Sequence, residues 1–113
     1  MADGKRWTVR DRDNNPVYLS EERWLHIVGS DNHPEMDDFE EQLKTTIRQG
    51  RRRQEPLNPR KYRYTLAVSE LPDDSNHIVA IIMFGVSVDE QGRATQNNYV
   101  ATAFFKHIRL KGD

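Results

Sequence analysis

The chain has 113 residues, 31% of them charged and 35% apolar, with no cysteine and a formal net charge of −1. That length supports one domain, residues 1–113. Even with glycine counted, the apolar content lies below the roughly 45–50% of an average domain, so the core is small. Zero cysteine excludes a disulfide scaffold, a thiolate zinc site and a cysteine nucleophile. The longest apolar run, Ile78 to Val88, falls short of the roughly 18 residues that cross a bilayer, and the first residues lack the apolar segment of a signal peptide. The expectation is a cytoplasmic protein with no membrane partner.

Trp7 to Arg10 and Val17 to Leu19 read as short strands, joined by a turn at Asp13-Asn14-Asn15-Pro16 because Asn tolerates positive φ and Pro punctuates. Ser20 predicts the N-cap of a first helix, with Glu21 and Glu22 in the positive field of its first turn. Leu19 and Trp24 have the spacing of a hydrophobic staple. Trp24, Ile27 and Val28, with Leu25 at the edge, form the apolar face. Pro34 opens a second helix whose buried stripe is Met36, Phe39, Leu43 and Ile47, with Gly50 as its stop.

Arg51 to Arg60, with Pro56 and Pro59, reads as a basic loop. The period then changes to two: Tyr62, Tyr64, Leu66 and Val68 alternate with Lys61, Arg63, Thr65 and Ala67. Pro72 to Asn76 is a connection. Ile78 to Val88 suits a central strand covered on both faces. Gln91-Gly92 is a turn, Asn97-Asn98 a bend or bulge, and Tyr99 to Ile108 the last strand. The order is β-β-α-α-β-β-β: an α+β fold, with an antiparallel sheet of about five strands and a helical pair on one face.

The net charge conceals segregation. Six carboxylates fall between Asp31 and Glu41 with no Lys or Arg, and seven cations fall between Arg48 and Arg63 against the single anion Glu55. The carboxylates suit the start of a helix, but the cations exceed what helix-dipole compensation uses. Arg51, Arg52, Arg53, Arg60 and Lys61, with Tyr62, have the composition of an RNA-binding surface. The same residues also read as a solvated loop, or as an ion-pair partner for the acidic helix of this chain or of a second copy.

His26 projects opposite the apolar face of the first helix, one turn after Glu22. It is either a surface histidine or a general acid/base oriented by a carboxylate. His33 caps the second helix, stacks in a loop or acts as a catalytic group. His26, His33 and Glu35 match no recognised ligand spacing, so neither a metal nor a cofactor is expected. Tyr62 and Tyr64 read as core or as stacking platforms. Thr102 and Lys106 share a face of the last strand and could lie beside Arg63.

The stretch from Tyr18 to Ile27, followed by His33-Pro34-Glu35-Met36 opening an acidic helix, resembles the amino-terminal signature of the barnase–EndoU–colicin–RelE-like nuclease superfamily. Thr102-Ala103 resembles the close of its last strand. Asn32 stands where the family has Arg, and the Arg triplet replaces its Pro-Asp. The resemblance implies two helices on an antiparallel sheet and metal-independent ribonuclease or toxin activity. By position, His26 would be acid or base in 2′-OH attack on the adjacent phosphate. Arg63 would stabilise the developing charge, and Tyr64 or Thr102 would position the phosphate. The expectation is an RNA-directed domain, either an endoribonuclease or an RNA-binding module. The alternative is a non-catalytic domain that forms a homodimer, or meets a protein partner, through its acidic helix and Arg-rich loop.

Overall fold

The N-terminal hairpin pairs β1 (Lys5–Arg10) with β2 (Pro16–Ser20) in the computed structural model, which describes residues 4–109. Asn14 supplies the positive φ of 67° that the turn requires, and the Asp11 carboxylate accepts the backbone N–H groups of Asp13 and Asn15. Ser20 then caps α1 (Glu21–Ile27), its Oγ accepting the Arg23 N–H at 3.0 Å. Leu19, Trp24 and Ile27 are buried. Leu25, placed by its spacing at the edge of the apolar face, is instead exposed to solvent.

The second helix is not uniform. Pro34–Phe39 is a 3₁₀ helix, and α2 (Glu40–Gln49) continues it. Three residues per turn put Met36 and Phe39 on one side, so the predicted stripe still reaches the core through Leu43 and Ile47. Gly50 ends α2 with an ordinary φ of −67°. Glycine is required there by proximity, because a Cβ would lie 2.3 Å from the Thr46 carbonyl oxygen and 2.9 Å from that of Thr65.

The expected basic loop is a strand. Gly50 turns the chain directly into β3 (Arg51–Glu55), which pairs antiparallel with β4 (Asn58–Ala67) through a tight turn at Pro56-Leu57. Pro56 lies in the turn, and Pro59, the second residue of β4, falls in the register irregularity between Gln54 and Glu55, so neither breaks the ladder. The expected single strand from Ile78 to Val88 is also two elements: β5 (His77–Met83) in the main sheet, then β6 (Val86–Val88), paired only with β7 (Ala94–Gln96). The break falls at Phe84-Gly85, where Arg60 and Asn97 crowd Gly85. All six residues of the β6–β7 hairpin are exposed, and its turn includes Gly92 at φ 79°.

The main sheet has six strands in the order β1-β2-β8-β5-β4-β3, with β8 spanning Tyr99–Lys106. It is mixed, not wholly antiparallel, because β2 meets β8 in parallel at Tyr18 and Tyr99. Asn98 secures this junction. Its carbonyl accepts the Tyr18 N–H, its Nδ2 donates to the Pro16 carbonyl, and its Oδ1 accepts the Gly85 N–H. Asn97-Asn98, read as a bend or bulge, is the break between β7 and β8, and a separate bulge falls within β8: Ile81 pairs Thr102 while Ile82 pairs Val100, leaving Ala101 as the extra residue.

Both helices pack on one face of the sheet, against Tyr64, Ile78, Ala80, Ile82, Val100 and Ala103. The sheet curls around them. Asp11, in the turn after β1, reaches Tyr64 on β4, although β2, β8 and β5 lie between β1 and β4 in the sheet.

Candidate functional site

Strand alternation divides the predicted site residues between two faces. Tyr62 and Tyr64 point to the helix face, and Arg52, the register partner of Tyr64, goes with them. The Arg52 guanidinium lies 3.9 Å from the Tyr62 ring centre and 4.8 Å from that of Phe84, and approaches Asp11 and Asp13. Arg60 has the parity of Tyr62, and its Nε donates to the Phe84 carbonyl at 2.9 Å. Arg52 and Arg60 are thus engaged within the fold.

Tyr64 is 1% exposed, and its hydroxyl donates to Asp11 Oδ2 at 2.5 Å. Burial first, and then that bond, push the Tyr64 hydroxyl far above its ordinary value. Burial also pushes the Asp11 carboxyl up. The bonds it accepts from Tyr64, Asn15 and Asp13 outweigh this, and the net direction is down.

The opposite face carries Arg51, Arg53, Lys61 and Arg63. Arg53, Arg63, Ile81 and Thr102 occupy one row across four strands. The structure therefore brings Arg63 and Thr102 onto one face and places Tyr64 on the other. His26 is exposed on α1, and among the described residues no hydrogen bond or ion pair joins it to Glu22, Arg63 or Thr102. His33 sits before the 3₁₀ helix with its ring centre 6.1 Å from that of Phe104; its side chain makes no capping bond. Among the described residues no ion pair joins the acidic run to the cations between Arg48 and Arg63. Glu40 pairs with Arg6 and accepts from Trp7, Glu41 pairs with Lys44, and Arg63 pairs with Glu55 at 3.6 Å.

A groove of about 660 Å³ opens where α2 ends, β3 begins, β4 ends, β5 begins and β8 ends. Arg12, Arg51, Arg53, Arg63 and Lys106 supply its charge, His77 also lines it, and no Asp or Glu does. The Arg12 guanidinium also caps α2 by donating to the Gln49 carbonyl, which offsets the negative end of that helix. Val79 and Thr65 form part of the floor, between the cationic rows.

Arg12 and His77 were not singled out by spacing. His77 nonetheless has the odd-number parity of Val79 and Ile81, which marks the face opposite Ile78 and Ala80. Lys106, paired with Thr102 by parity, does share the open face with Arg63.

Among the described residues no group of three or more His, Asp or Glu is arranged to hold a metal ion, and no helix is long and apolar enough to cross a membrane. The molecule is an α+β protein with two helices on a curled, mostly antiparallel six-stranded sheet and a groove lined by four arginines and a lysine and by no carboxylate. No protein-family model, curated protein or solved structure matches the chain.

Proposed function

We propose that this protein binds RNA through the open-face groove. The observation that carries the reading is the lining: four arginines and a lysine, with no carboxylate among them. Arginine presents a planar fork of donors matched to phosphate oxygens, and clustered cations gain affinity by releasing the counterions of a polyanion. The Arg53–Arg63 row and the His77–Lys106 row are four residues apart along the strands, about 13 Å. That separation suits a chain carrying several phosphates better than one small anion. The similarity of Tyr18–Met36 to the nuclease superfamily selects RNA among such chains.

Of His26, Arg63, Tyr64 and Thr102, only Arg63 and Thr102 share a face, which favours a binding module over a ribonuclease built on His26. The test is anisotropy of a labelled single-stranded RNA across a salt series. The affinity should fall linearly on a log–log plot, with a slope of about −0.7 per phosphate contacted. An absence of binding, or binding indifferent to salt, rejects the reading. Cleavage in EDTA that His26→Ala abolishes would restore the endoribonuclease.

A further inference from the structure

His77 begins β5 and faces the groove, between Ala67 of β4 and Lys106 of β8. Its Nδ1 lies 2.6 Å from Oδ1 of Asn76. The orientation of that amide is set independently: Oδ1 accepts the Ile108 N–H at 2.8 Å, and Nδ2 donates to the Ile108 carbonyl at 3.0 Å. Since Oδ1 is an acceptor, the hydrogen-bond network assigns the ring hydrogen to Nδ1, and Nε2 is the nitrogen that gains or loses a proton.

The charged groups around His77 are cationic. Lys106 faces it on β8, and His107 follows with its ring held by the Asp74 carbonyl at 2.9 Å. Arg51 on β3, Arg63 on β4 and Arg12 beyond β1 line the same groove. Asp73 and Asp74, in the connection before β5, are exposed, and among the described residues no carboxylate pairs with His77. Burial, and then His107, hold the imidazole below the ordinary histidine range. Glu55 pairs with Arg63 of this groove at 3.6 Å but not with His77, and a phosphate beside His77 would supply the counter-charge it lacks.

We propose that His77 is a phosphate-binding group of the groove: it is neutral in the free protein at neutral pH and becomes an imidazolium beside Lys106 when RNA is bound. The inference rests on the RNA-binding reading and adds proton uptake to it. One linked proton changes affinity by at most tenfold per pH unit, in the direction of tighter binding as pH falls.

The experiment measures binding of a fluorescein-labelled oligouridylate of about 12 nucleotides to the full chain, at constant ionic strength, at about pH 8 and about pH 5.5. The wild type should bind about tenfold tighter at the lower pH. His77→Asn should lose most of that gain between the two pH values. His77→Lys, which carries the charge permanently, should bind at the higher pH as the wild type does at the lower. His107→Asn should keep the gain. Circular dichroism of each variant checks the fold, and the gain of binding in His77→Lys requires a folded chain. A pH response that survives His77→Asn, one that moves to His107, or RNA binding with no pH response overturns the role of His77 alone. A wild type that binds RNA at neither pH overturns the RNA reading together with it.

Discussion

The hydroxyl of Tyr64 and the carboxylate of Asp11, 53 positions apart in sequence, meet at 2.5 Å and close the curl of the sheet over α2. The Asp11 carboxylate also accepts from Asp13, from the backbone and side chain of Asn15, and lies 3.9 Å from Arg52. A buried carboxylate so supplied with donors stays ionised, and its charge holds the β1–β2 turn against β4.

Tyr64→Phe therefore tests structure and not catalysis. Removing one donor to a buried charged acceptor costs about 2 kcal/mol, read as a shift in the urea midpoint at unchanged slope. RNA affinity should not change. Because the Asp11 carboxyl titrates below its ordinary value when folded, its stabilisation is complete above the unfolded pKa of about 3.9 and is lost as pH falls through the folded one. The gap between mutant and wild type should be full at about pH 7 and should narrow below about pH 4. A gap that widens in acid would contradict this assignment.

Gly50 and Gly92 separate two reasons for glycine. Gly50→Ala drives a methyl into the Thr46 and Thr65 carbonyls at an otherwise permitted φ, and should cost about 3 kcal/mol. Gly92→Ala meets no atom within 4 Å but keeps a φ of 79°, and should cost about 1 kcal/mol. Thermal melts of the two variants give the order. Equal losses would mean that the α2–β3 junction relaxes around the added carbon.

The arginine triplet should divide by face. Arg51→Gln and Arg53→Gln should each weaken RNA binding and reduce the salt slope by about 0.7 with little change in melting temperature. Arg52→Gln loses its stacking on Tyr62 and Phe84 and its approach to Asp11, so it should lower stability by about 1–2 kcal/mol and leave the salt slope intact. Three equivalent arginines in the binding assay would remove the basis for assigning them to opposite faces.

Asn98→Asp probes the junction of β2 and β8. The amide donates to the Pro16 carbonyl from a site 2% exposed, and a carboxylate there would face that oxygen without a donor. The variant should lose about 3 kcal/mol at neutral pH, and recover part of it where acid protonates the new group. Denaturation at two pH values measures both effects.

Local signals account for much of what could be read directly. Ser20 caps α1, Leu19 and Trp24 are buried together, Asn14 takes positive φ, and Tyr62, Tyr64 and Val68 reach the core as the period requires, while Leu66 lines the groove. Each depends on atoms within a few residues. The strand β3 escaped because Arg-Arg-Arg-Gln-Glu has no apolar alternation and two prolines follow it. Its existence depends on the ladder that β4 offers. The parallel contact of β2 with β8 escaped for the same reason: it joins residues 18 and 99 through one register pair.

The α+β class, the Ser20 cap, the helical stripe and the alternation of Tyr62 and Tyr64 with Lys61 and Arg63 were legible in the chain, because periodicity and capping are short-range chemistry. Which cations share a surface depends instead on long-range pairing. Pairing with β4 turns Arg52 inward and Arg51 and Arg53 outward, and the meeting of β4, β5 and β8 puts His77 and Lys106 in their groove. Side-chain direction in a sheet follows register, and register is fixed between segments far apart in the chain.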